Sequence, residues 1–459
     1  MPFEAATGER RFLAPQAWVG GAWACDVLLV AGADGRWSTV QPGATGADAA
    51  GAQLLSGPVL PGLVNAHSHA FQRAIAGMTE RSADGKDDFW SWRDRMYSAA
   101  LRITPDQLEA IAAQLYSELL QAGFTQVCEF HYLHNGLDGK PYADAAEMAL
   151  ALARAASRVG IGLTLLPTLY MRSGFAAADL REDQRRFAST PDSVLRIGEA
   201  VERQAGGPLV RSGVALHSLR AVDEAALREV ADAARGKMPV HIHIAEQQQE
   251  VVDCLERTGQ RPIEWLLAHG RPDAGWNLVH ATQSTRDELA GVRDCGAAVV
   301  ICPTTEANLG DGVFDLPGWL GQGGNWSIGS DSHVTRSWTE ELRLLEYSQR
   351  LVLCQRNIAA RSAICESSAG ALFQGALLGG SAGAGLPLGG LAVGQRADFL
   401  VLDTQAPSLL GIPPEQVLDA LVFSSGAGGC IGAVHVAGAA VPRTETAPAF
   451  THAMRALWG

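Results

Sequence analysis

The stretch Leu60-Pro61-Gly62-Leu63-Val64-Asn65-Ala66-His67-Ser68-His69 is an apolar run that ends on two histidines. Its body reads as a buried strand. Residues i and i+2 of a strand share a side, so His67 and His69 offer two imidazoles to one point; a pair of hydrogen-bonded core histidines is the other reading. An open doubly wound sheet usually carries a glycine-rich phosphate loop after its first strand. Here His67-Ser68-His69 occupies that place.

Runs of similar character recur along the chain. With Pro58–Ala66 they are Thr125–Phe130, Gly162–Leu169, Gly213–His217, Pro239–Ala245, Trp276–Ala281, Ala297–Cys302 and Trp326–Gly329. Helical patterns separate them. Thr104-Pro105-Asp106-Gln107 is a helix start, with Thr as N-cap, Pro at the first position and Gln closing a capping box. Leu108, Ile111, Leu115 and Leu119 follow at helical spacing, and Gly123 supplies the stop. Asp144–Val159, Val222–Ala234 and Thr285–Asp294 also read as helices. Strands alternating with helices predict an α/β chain, a (β/α)8 TIM barrel over residues 58–387. The alternative is the open doubly wound sheet. Residues 1–57 and 388–459 hold short strands and Gly-rich turns, among them Ala17–Val19, Asp26–Val30 and Ala397–Leu402. Neither end is large enough to bury a core alone, so the two are expected to assemble one small β-sandwich domain.

Composition narrows the function classes. The chain has 459 residues, 47% hydrophobic and 19% charged, with a formal net charge of −13. That is globular, and an acidic chain without basic runs excludes a general nucleic-acid or anionic-membrane binder. The opening MPFEAATGERRFLAP has no apolar signal core. The apolar tracts Ala371–Gly394 and Gly426–Ala440 are Gly-rich and interrupted, so no membrane span is expected. The cysteines, scattered and without a CxxC pair, read as buried thiols in a reducing, cytoplasmic setting.

Reactive residues of such a barrel gather at the C-terminal ends of its strands. His67 and His69 fall there. So does His243, in Pro239–Glu246; His241 reads as a structural histidine one layer down. Glu246 follows where the chain leaves the strand, placed as a proton shuttle or as an ordinary solvated loop carboxylate. His280 ends the sixth strand and Asp331 follows the eighth. Imidazole plus carboxylate without thiolate suits Zn²⁺, with Fe²⁺ or Mn²⁺ as substitutes. The only lysines are Lys86, Lys140 and Lys237. None ends the fourth strand, so no carboxylated lysine can bridge two metals there, and one ion per subunit is predicted.

This pattern resembles the metal-dependent amidohydrolase superfamily, over nearly the whole chain. A narrower likeness, to the branch that hydrolyses N-formimino-L-glutamate in bacterial histidine breakdown, is carried by specific stretches. These are His67–Arg73, Phe89-Trp90-Ser91-Trp92-Arg93, Glu129-Phe130-His131-Tyr132, His217-Ser218-Leu219-Arg220, His241–Gln247 and Cys302–Gly312. The resemblance implies hydrolysis of a formamidine to N-formyl-L-glutamate and ammonia. It implies His67, His69, His243 and Asp331 as metal ligands. Glu246 would move the proton from water to the leaving nitrogen, His280 would steady the attacking oxygen, and Asp331 would accept a proton as bonds rearrange. A small-molecule dicarboxylate bound by an acidic protein needs local positive charge. Arg93 and Arg220 are expected to supply it, with Gln72, Tyr132 and His217 completing the pocket. Trp90 and Trp92 read as packing or subunit-contact residues, and Asn308–Gly312 as a cover over the site. A homodimer is the expected assembly.

Three rival readings share much of this pattern. Another mononuclear deaminase, acting on a nucleobase or other amidine, shares the ligands but does not need two arginines. A non-catalytic scaffold generally lacks the ligands. A hydrolase giving glutamate and formamide releases no ammonia.

Overall fold

The computed structural model describes residues 8–81, 89–361, 365–424 and 429–459, and not the side chains of residues 89–91 and 361. The first seven residues read for a signal, Lys86 and the start of the Gly426–Ala440 tract lie outside the described residues. Eight parallel strands form the barrel: β1 Leu63–Ser68, β2 Phe124–His131, β3 Gly162–Leu169, β4 Val214–Ser218, β5 Val240–Ile244, β6 Trp276–His280, β7 Ala298–Ile301 and β8 Trp326–Ile328. They pair in chain order. The round is completed by a parallel bridge between Ser68 and Asp331, so the seam of the barrel lies among the expected ligands. A short strand, Val210–Ser212, adds to β3 outside the round. Nearly every strand position is buried, which is why these strands read as continuous apolar runs rather than alternating ones.

The helix signals act as their chemistry dictates. Thr104 and Gln107 close a capping box on Pro105–Gln121. Asp223 caps Glu224–Ala234 and Thr285 caps Arg286–Asp294. The helix expected from Asp144 begins at Glu147, because the Asp144 carboxylate accepts the Ala146 N–H and holds a turn before it. It stops at Gly160, in the left-handed region at φ 86°.

The first predicted strand is in fact two. Val59–Pro61 pairs with strands from both chain ends, and Leu63–Ser68 enters the barrel. Gly62 sits at the handover. A Cβ there would stand 2.4 Å from the Thr125 side chain, so only glycine lets the chain pass from one sheet to the other. The ends build one mixed sheet in the order 439–440, 431–436, 399–402, 59–61, 10–19, 22–31, 37–41, with 53–54 beside 10–19. The short strands expected near the N-terminus are part of a long hairpin, Arg10–Val19 and Ala22–Ala31, turned by Gly20-Gly21, both at positive φ. The sheet has its own core, in which Phe12 meets Phe399 at 5.1 Å. The buried Arg396–Asp398 pair ties it to the barrel through the Thr125 carbonyl. The last helix, Ala447–Trp458, packs on Pro105–Gln121 instead, and Trp458 Nε1 donates to the Ala74 carbonyl.

The Gly-rich tract 371–394 begins inside a helix, Ser368–Ala384, lying against β1 and β8. A Cβ on Gly379 would stand 1.7 Å from the Trp326 carbonyl oxygen, and one on Gly380 2.9 Å from Val64. The glycines are a packing requirement. The Gly383 carbonyl accepts from His241 Nε2 at 2.8 Å, which fixes His241 as the structural histidine below the site. No helix among the described residues is long and apolar enough to cross a membrane.

Candidate metal centre and pocket

His67 lies near the end of β1 and His69 just beyond it. His243 is on β5, His280 ends β6, and Asp331 follows β8. All are buried. His67 Nε2 is 3.0 Å from His243 Nε2 and 3.4 Å from Asp331 Oδ1, and His69 Nε2 is 3.4 Å from the same oxygen. A tetrahedron with metal–ligand bonds of ~2.0–2.1 Å has edges of about 3.3 Å, and these three separations lie close to that length.

The proton inventory points the same way. His69 Nδ1 donates to the Phe130 carbonyl at 2.8 Å, and His243 Nδ1 to the His217 carbonyl at 2.9 Å. A carbonyl oxygen only accepts, so in the neutral rings each Nε2 carries a lone pair. Burial holds all three histidines below their ordinary pKa, His67 at about 3 despite Asp331 beside it. Burial works against the Asp331 carboxylate, but His67, His69 and His280 outweigh it and hold it well below the usual range. Two imidazole lone pairs, from His69 and His243, and one anionic oxygen converge beside the His67 ring, a donor set that suits a cation, and carbonyl-anchored imidazoles are the usual support of metal ligands.

The backbone is bent to make this possible. Ala245, His280, Ala281 and Asp331 all adopt left-handed φ, between 43° and 72°. Such strain in non-glycine residues collects at functional sites. A Cβ on Gly329 would stand 2.6 Å from the His67 Cβ, so glycine there lets β8 close on the first ligand strand. Glu129 on β2 braces the motif. It accepts the Ser68 hydroxyl at 2.8 Å, the Ala70 N–H at 2.5 Å and the Tyr116 hydroxyl at 3.2 Å. Burial raises its carboxyl to about 7. His333 braces it from β8, bonding Ser330 Oγ and the His69 carbonyl.

His280 faces three carboxylates. Its Nδ1 is 3.3 Å from Glu306, and its Nε2 is 3.8 Å from both Glu246 and Asp331. Burial opposes its charge, yet these anions raise it to about 10. Glu246 is buried, which raises its carboxyl against the pull of His280 and Arg220.

A pocket of about 510 Å³ opens onto this cluster. Gln72, Arg93, Tyr132, His217 and Arg220 all line it, with His69, His243, Glu246, His280 and Asp331. His67 is among the expected ligands but not in the lining. Gln72 Nε2 donates to the Tyr132 hydroxyl at 3.3 Å. Arg172 holds the chain that presents Arg220 by donating to the carbonyls of Leu219, Arg220 and Val222.

Trp92, read as a packing or subunit-contact residue, packs half-buried against the core and also lines the pocket, because its helix, Phe89–Ala100, forms one wall; the Trp90 side chain lies outside the described residues. The segment read as a loop from Asn308 begins inside a helix, Pro303–Leu309. Leu309 lines the pocket, while Asp311 accepts from Gln247 and Gln283.

Tyr97, Tyr170 and Met96 are further lining residues that the sequence alone does not single out. Two of them carried a signal. Tyr97 stands four residues after Arg93, on the same face of a helix. Tyr170 directly follows β3, a strand end like those of the ligands.

Comparison with known proteins follows the same lines. The Amidohydrolase family profile matches residues 59–441. Formimidoylglutamate deiminase of Pseudomonas aeruginosa is 45% identical over 414 residues, covering 90% of each chain. A 5-methylthioadenosine/S-adenosylhomocysteine deaminase of Halobacterium salinarum is 26% identical, covering 76% of this chain and 74% of its own. Among solved structures, an amidohydrolase from Brucella melitensis superposes with a TM-score of 0.90 at 42% identity, covering 98% of this chain and 100% of that one. A zinc-bound adenosine deaminase from Xanthomonas campestris shares the fold at a TM-score of 0.78 and 23% identity, covering 99% and 98%.

Proposed function

The chain belongs to the amidohydrolase family, and within it we propose a zinc-dependent deiminase that hydrolyses N-formimino-L-glutamate to N-formyl-L-glutamate and ammonia. The observation that carries this reading is one pocket holding both a metal-ligand cluster with Glu246 and two arginines, Arg93 and Arg220. A nucleobase pocket has no use for two guanidiniums. A substrate with two carboxylates does. The 45% identity to a formimidoylglutamate deiminase supports the same substrate and a place in histidine breakdown.

His67, His69, His243 and Asp331 would hold the ion. A bound Zn²⁺ supplies the charge that lowers the pKa of water from 15.7 to about 7. The remaining work falls to the chain. Glu246, at the pocket floor, takes the proton from the attacking water and delivers it to the nitrogen that leaves as ammonia. His280, anchored through Nδ1 by Glu306, aims Nε2 toward the Glu246 and Asp331 carboxylates. There it steadies the attacking oxygen, and Asp331 receives a proton as the carbon–nitrogen bond breaks. Arg93 and Arg220 hold the carboxylates with the bidentate geometry lysine lacks. Gln72, Tyr132 and His217 close around the head group. The enzyme acts in the cytoplasm as a homodimer in this reading.

A substrate panel tests the assignment. The zinc-loaded protein should release ammonia from N-formimino-L-glutamate and not from guanine or cytosine; preference for a nucleobase would overturn it. Arg220→Met should raise KM for formiminoglutamate by about 10–100-fold, the worth of a hydrogen bond to a charged group, with metal content unchanged. An unchanged KM would remove Arg220 from the substrate.

A further inference from the structure

Tyr97 and Tyr170 have no part in the chemistry above, yet both are buried and both line the pocket. Behind them stands Gln184, fully buried. Its amide can point only one way. Oε1 accepts the Arg181 backbone N–H at 3.0 Å, so the NH₂ group faces the two rings. Nε2 lies 2.9 Å from the Tyr170 oxygen and 3.1 Å from the Tyr97 oxygen.

An amide NH₂ group donates only. Both phenol oxygens are therefore acceptors toward Gln184, and both phenol protons must go elsewhere. The two oxygens are 3.4 Å apart, longer than the usual O–H···O range of about 2.5–3.0 Å. That contact occupies one proton weakly. No acceptor for the other is found among the described residues, and a buried donor without one is costly. The open direction is the cavity. Burial keeps the Tyr170 phenol protonated against the pull of Arg220 and Arg93, and the Arg93 guanidinium lies 5.5 Å from the Tyr97 ring. This part of the wall presents donors to an anion.

The ring contacts say which anion. Tyr132 and His217 touch the ligand rings, at 5.2 Å from His69 and 5.1 Å from His243. Tyr170 is one ring further out, 4.2 Å from His217 and 6.4 Å from Tyr132. The α-carboxylate of formiminoglutamate sits on the carbon bonded to the retained nitrogen, close to the imino carbon that is attacked. Its side-chain carboxylate extends away from it.

Resting on the formiminoglutamate reading, we propose that Tyr97 and Tyr170, oriented by the positioning residue Gln184, donate hydrogen bonds to the substrate's side-chain carboxylate and set the preference for a dicarboxylate.

The test uses the metal-loaded enzyme and two substrates, N-formimino-L-glutamate and N-formimino-L-norvaline, which lacks the side-chain carboxylate. Tyr170→Phe and Tyr97→Phe should each raise KM for the first by about 10–100-fold. Their kcat on it, and kcat/KM on the second, should stay within about twofold of wild type. Gln184→Met should shift KM the same way, on the first substrate alone. An unmoved KM in the tyrosine variants, or an equal loss on both substrates, would overturn the pair. Absence of ammonia from wild type with formiminoglutamate would instead overturn the substrate reading.

Discussion

Glu246→Gln is expected to lower kcat by about 10²–10⁴-fold while the protein keeps its full metal complement. The substitution is nearly isosteric, and the donor cluster of His67, His69, His243 and Asp331 does not include residue 246. What is lost is a group that can carry a proton. Glu246 is placed for that work: it is buried, it lines the pocket, and its Oε1 stands 3.8 Å from His280 Nε2. Burial raises its carboxyl, although His280 and Arg220 pull it down. A glutamine at the same place can still hydrogen-bond but cannot shuttle. Steady-state kinetics alongside elemental analysis of the same preparation decide it. A metal-replete variant with near wild-type kcat would end the role assigned to Glu246.

Removal of the metal is expected to abolish turnover and to lower the melting temperature, with both restored by Zn²⁺. The stability effect follows from the site itself. His69 and His243 each turn an Nε2 lone pair into the cluster, and the His67 and His243 Nε2 atoms face one another at 3.0 Å. A ligand that binds the folded state alone, at a free concentration a thousandfold above its Kd, stabilises it by about 4 kcal/mol. Scanning calorimetry of chelated and zinc-reconstituted protein reads the shift, and His67→Ala should erase it. Undiminished activity in a protein verified to be free of metal would contradict the centre.

The fold was legible because barrel strands are buried on both faces and so announce themselves as apolar runs, and because caps such as Thr104 and Thr285 are local chemistry. The candidate ligands were legible because each falls at the end of such a run. What stayed hidden depends on the third dimension. Nothing in the sequence says that the run from Pro58 serves two sheets. The handover rests on a single close approach, that of Gly62 to Thr125. Nor does it say that the Phe130 and His217 carbonyls fix the imidazoles, since a backbone oxygen carries no residue-type signal. The glycines of Ser368–Ala384 were visible as composition, but their meaning is the Trp326 carbonyl packed against them. Tyr97 and Tyr170 are equally hidden, since a phenol in a wall reads as core until the Gln184 amide beside it fixes which way its oxygen accepts.

The central claim is that this pocket cuts the imino carbon–nitrogen bond of N-formimino-L-glutamate. The most direct measurement incubates the zinc-loaded protein with that substrate and follows ammonia and N-formyl-L-glutamate together. Equal amounts of both, formed at the same rate, are the predicted result. Glutamate and formamide without ammonia, or no reaction from a protein with a verified full metal site, would contradict it.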